Sequence, residues 1–97
     1  MNPEYPLPEL TENTTPSDYA FNLRGLLFHT LREVEAHLPV HFATVGAYES
    51  AGGTTPPLGY LGCLARLLVK DEAEELGLSP HEIAKYKVLL LDQLRDL

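Results

Sequence analysis

The sequence predicts a mainly α-helical protein: a compact three-helix bundle preceded by an extended Pro-rich arm, with a short strand-like segment in the middle. Three observations carry this. Apolar residues recur at steps of three and four along three long stretches. Helix start and stop signals bracket those stretches: Ser79-Pro80-His81-Glu82, Gly77 and Pro39. Four of the eight prolines fall in residues 1–16, where they block helix. The length of 97 residues fits one domain, divided as an arm over 1–16 and a single helical domain over 17–97.

The arm holds Pro3, Pro6, Pro8 and Pro16 with Glu4, Glu9 and Glu12, and suits an extended, polyproline-like course. Tyr5, Leu7 and Leu10 give it apolar side chains to lay against its own core or a neighbour; a mobile tail is the alternative. The first helix is expected from about Asp18 to Leu38, capped by Ser17 or Asp18 and ended by Pro39. Tyr19, Leu23, Leu27, Leu31, Val34 and Leu38 form its stripe. His29–Glu33 and Glu33–His37 are i,i+4 pairs on its other face.

Residues 40–50 alternate as a strand would at Val40, Phe42, Thr44 and Tyr48, with Pro39 and Gly52-Gly53 as flanks. A short helix is the competing reading. A second long helix is expected from about Pro57 to Leu76, with Thr54 or Thr55 as cap and Gly77 as stop. It is apolar nearly all round from Leu58 to Val69, which marks it as the central helix. Gly59, Gly62 and Cys63 share one side, where another backbone could approach closely. The last helix, about 80–96, opens with a capping box and buries Ile83, Tyr86, Leu90, Leu94 and Leu97. Val88, Leu89 and Leu91 add an apolar surplus that suggests a homodimer or a place in a larger complex.

Charge narrows the functions. Fourteen acids against seven bases give a formal charge of -7. That disfavours nucleic acid and membrane surfaces and favours a basic protein partner, or simple solubility. The N-terminus lacks the basic start and apolar run of a signal peptide, and a cytoplasmic location is expected. His29, His37, His41 and Cys63 lack the paired spacing of metal ligands, and Cys63, inside an apolar helix, is expected to be a buried thiol. Ser17 and Ser79 read as caps, and Ser50 has no nucleophile elbow around it. Gly52-Gly53-Thr54-Thr55 has no following Lys, and Pro56 and Pro57 remove backbone donors, so it is no phosphate loop. Neither a cofactor nor a metal is expected.

Val69–Tyr86 resembles a helix-turn-helix, with Ala73, Gly77, Ile83 and Tyr86 at the motif's spacing and Leu76 and Leu78 also fitting. The resemblance implies a DNA-binding transcriptional regulator whose second helix turns His81, Glu82 and Lys85 toward the bases. Glu72 stands where the motif usually carries an apolar residue, and acids crowd the helix that would lie along phosphate. The expected function is therefore a non-enzymatic protein-interaction or assembly module: an adaptor, inhibitor or structural subunit. Small acidic viral or mobile-element inhibitors share this general look. Its expected contacts are Tyr5, Leu7 and Leu10 of the arm, with the acidic run Asp71, Glu72, Glu74 and Glu75.

Overall fold

The computed structural model describes residues 5–97, so Pro3 and Glu4 of the expected arm lie outside the described residues. The described residues are mainly helical, but form five helices rather than three. They are α1 (Pro16–Leu27), α2 (Leu31–His37), α3 (Phe42–Glu49), α4 (Leu58–Leu76) and α5 (Pro80–Asp96).

The helix expected over 18–38 is two helices. Its start lies earlier than expected, because Thr15 caps it and Asp18 reaches back to the Thr15 backbone in a capping box. Phe28 is extended and ends α1, and Thr30 opens α2 by accepting from the Glu33 N–H at 3.3 Å. Thr30-Leu31-Arg32-Glu33 carries the same start pattern as the other two caps. His29 therefore sits between helices, so His29–Glu33 is not a helical pair. His37 stacks instead on Phe28, with ring centroids 5.1 Å apart.

The break is held from inside. Arg24 is buried, and its Nη1 donates to the carbonyls of Phe28 and His29 at 3.0 and 3.3 Å. Its Nε and Nη2 fork onto Glu49 at the end of α3, at 3.0 and 2.8 Å. The hydrogen bond to the Glu49 carboxylate raises the guanidinium's pKa further, so Arg24 stays charged across the working pH range. One side chain thus ends α1, fixes the turn into α2 and anchors α3.

The strand expected over 40–50 is a helix, α3. His41 caps it through Nδ1, and the Glu35 carboxylate takes the Phe42 N–H at 2.8 Å. Alternation would have buried Thr44; the structure exposes Thr44 and fully buries Val45. A two-residue period that turns Val40, Phe42 and Thr44 inward turns Val45 outward; the helical period brings Val45 and Glu49, one turn on, to the same side. After α3 the chain folds back so tightly that a Cβ at residue 53 would collide with the Ala47 carbonyl, which explains Gly53.

α4 is the central helix, as its composition predicts. It buries Tyr60, Leu61, Leu64, Ala65, Leu68 and Val69, packing on α1 on one side and α5 on the other. It begins at Leu58 without a side-chain cap, so Thr54 and Thr55 do not cap it. Gly77 ends it in the left-handed conformation, φ 65°. The Gly77 and Leu78 N–H groups both return to the Ala73 carbonyl, and Leu78 packs on the core. α5 starts at the expected capping box and buries Tyr86 and Leu90. No helix among the described residues is long and apolar enough to cross a membrane.

Removing either member of the buried ion pair leaves the other charged in the interior. Arg24→Ala or Glu49→Ala is expected to lower unfolding stability by about 3–5 kcal/mol in urea titration, and a joint Arg24→Met, Glu49→Leu replacement to lose much less than the sum. Tyr60 is also buried, and its Oη has no hydrogen-bond partner among the described residues. Tyr60→Phe is expected to be neutral or to stabilise by up to about 1 kcal/mol. Burial pushes the phenols of Tyr19 and Tyr60 up to about 12 from 10.0, and raises Tyr86 likewise, with Glu72 adding to it. The unfolded chain ionises first, so stability should hold below pH 10.0 and fall as pH rises toward about 12. In an alkaline titration, the tyrosinate absorbance of these three residues should appear together with loss of helical circular dichroism.

Candidate interaction surface

α4 and α5 form an antiparallel hairpin through the Gly77-Leu78-Ser79 turn. Its direction is set by which residues meet: Gly62 faces Leu94 at one end of the hairpin, and Ala73 faces Ile83 at the other. The helices meet along their length, whereas the helices of a helix-turn-helix cross at about 90–120°. The residues proposed to read bases are also engaged otherwise. Glu82 accepts the Ser79 backbone N–H at 3.1 Å, which holds its carboxyl below the usual carboxylate range. His81 and Lys85 border a shallow apolar hollow of about 450 Å³ completed by Tyr5 of the arm.

The arm lies on its own core. Tyr5 stacks on Tyr86 with centroids 5.0 Å apart and planes 19° apart. The Tyr86 hydroxyl donates to the Pro6 carbonyl. Gln93 joins arm, α1 and α5: its Oε1 accepts from the Tyr19 hydroxyl at 2.8 Å, and its Nε2 donates to the Pro8 carbonyl at 3.0 Å. Pro8 is buried, and Tyr5, Leu7 and Leu10 are partly buried against the core. The arm's apolar side chains thus supply intramolecular packing.

The acidic run lies along one side of α4. On a helix advancing about 100° per residue, Glu74, Asp71, Glu75 and Glu72 follow one another over an arc of about 160°. Asp71 and Glu75 are exposed on one side. Glu72 is half-buried, close enough to Tyr86 to disfavour its ionisation. Glu74 lies on the α4–α5 groove with Lys70 and Lys87.

That groove is the surface sequence reasoning missed. Its floor is Ala65, Val69 and Leu90, and its walls carry Gly62, Leu91 and Leu94. It opens to about 300 Å³ beside Leu94 and continues as a hollow of about 430 Å³ toward Ile83, the two parts sharing Arg66, Val69 and Lys87. Leu91, 52% exposed, leads out of it onto Val88, 54% exposed, on the outer side of α5. Leu89 is 40% exposed beside the arm. Across α4 from the core, Gly59 and Gly62 have no atom of the described residues near enough to touch an added Cβ, so none of those residues uses the close approach their size permits. Cys63 beside them is exposed, not buried as expected. Among the described residues no three metal-ligating side chains converge.

No protein-family model, curated protein or solved structure matches this chain. Its function has to be read from its own surface.

The arm's attachment can be tested through its two polar anchors. Tyr86→Phe and Gln93→Ala together are expected to cost about 1 kcal/mol per lost hydrogen bond. They should also speed chymotryptic cleavage after Leu10 several-fold; unchanged stability and cleavage would mean that the arm is held by other contacts.

Proposed function

We propose that this chain is a non-enzymatic protein-docking module, an adaptor, inhibitor or structural subunit that presents its α4–α5 face to a larger protein. The observation that carries the reading is the run of apolar side chains from the groove through Leu91 to Val88, left in water along one side of the α4–α5 hairpin. Contiguous apolar surface rimmed by polar residues is a recurrent mark of protein interfaces.

The helix-turn-helix reading gains nothing from the antiparallel hairpin or from a Glu82 occupied by its cap. A basic partner surface remains available to the exposed Asp71, Glu74 and Glu75, while Glu72 is half-buried.

Capture from native lysate, with the protein tagged at its N-terminus and nuclease present, tests the reading. Wild type should retain a stoichiometric protein partner, and Leu91→Glu should lose it while keeping its helical circular dichroism. Reversal of Asp71 and Glu75 to lysine should leave capture within about twofold, because exposed charges contribute little. Capture indifferent to Leu91→Glu, or material that vanishes with nuclease, would refute the α4–α5 docking face.

A further inference from the structure

The α4–α5 groove has a polarity opposite to that of the protein around it, and we propose that it takes an acidic amphipathic helix from a partner protein. The inference rests on the docking reading above and names the chemistry of what docks. The chain has seven Lys and Arg residues against fourteen acids. Three of the seven stand on this groove: Arg66 and Lys70 on the α4 wall, Lys87 on the α5 wall. None takes part in the ion pairs found among the described residues. Glu74, toward one end, is the lone acid on the lining. An occupant that brings carboxylates to both walls meets unpaired cations on both.

The shape points to a helix. The groove runs along α4 from Gly62 to Glu74, which is roughly 18 Å or three turns at 1.5 Å per residue. A third helix laid on two antiparallel ones covers their shared apolar seam, as in helical bundles. An extended peptide would need a sheet edge to pair with, and the elements among the described residues are all helices. The Val69 and Leu90 floor suits leucine-sized knobs and offers nothing to a phosphate backbone.

A second copy of this chain fits less well. A two-fold contact sets a surface against itself. Lys70 and Lys87 stand near the middle of the groove, so a copy laid face to face brings cation to cation.

The probe is a synthetic amphipathic peptide of about 18 residues, roughly 27 Å as a helix, with leucines at i, i+3, i+4 and i+7 flanked by glutamates. Its twin carries lysines in place of the glutamates. By fluorescence anisotropy at low salt, the glutamate peptide should bind wild type at least about tenfold more tightly than the twin, and higher salt should narrow the gap. Methyl resonances of Val69, Leu90 and Leu94 should shift. Arg66→Glu with Lys87→Glu replaces exposed charges only, should stay folded, and should reverse the preference. Equal binding of the twins, an unreversed preference, or shifts confined to another face would overturn the inference. So would a wild-type dimer in sedimentation, dissolved by Leu91→Glu and indifferent to the glutamate peptide, which would give the groove to a second copy. If a lysate partner is lost by Leu91→Glu yet kept by the double charge reversal, the docking reading survives and the acidic helix does not.

Discussion

Arg24 and Glu49 meet as a forked ion pair in the interior, and half of the molecule is arranged around them. Their side chains are 10% and 7% exposed, so water does little to screen the pair. The same guanidinium takes two backbone carbonyls from the turn after α1, where the helix has run out of intrahelical donors. A chain that could have continued as one long helix is bent at Phe28–Thr30, and α3 folds back beside α1 with α2 packed on α3. Such a pair contributes less net stability than its geometry suggests, because desolvation offsets most of the attraction. Its larger effect is on which fold forms: an uninterrupted helix over 18–38 would carry Arg24 away from Glu49 and strand both charges.

The other half is built differently. α4 and α5 are long, capped at both ends of their shared turn, and need no buried charge to meet. The arm covers one side of α5 through Tyr86 and Gln93, and α4 covers another. What remains uncovered on α5 is its outer strip and the seam it shares with α4. A small chain has little apolar surface to spare, so leaving Leu91 and Val88 in water costs solubility with no return unless something covers them.

Much of this was legible from residue order. The α4 and α5 spans, the Gly77 stop, the Ser79 capping box and the centrality of α4 follow from periodicity and punctuation. The break at Phe28–Thr30 was half legible: Thr30-Leu31-Arg32-Glu33 has the form of a helix start, but the apolar stripe from Tyr19 to Leu38 runs through it without a skip. What decides the break is Glu49, 25 residues beyond Arg24, and no local pattern announces a contact at that distance. The middle segment misled because β-branched and aromatic residues at alternate positions satisfy a strand period, while burial of Val45 and the Glu35 cap select a helix. That Asp71, Glu72, Glu74 and Glu75 share one side of α4 was legible by turning the helix by its own period. The cationic groove was not, because Arg66 and Lys87 become neighbours only once the hairpin closes.

The central claim is that a partner covers the α4–α5 seam. Hydroxyl-radical footprinting of the protein, free and in its native complex, reads side-chain cover directly. Strong protection of Leu91 and Leu94, with unchanged oxidation of Tyr48 and Leu76, is the predicted result. Protection that spares the seam and falls on the Leu76 end of α4 or on the arm would contradict the account.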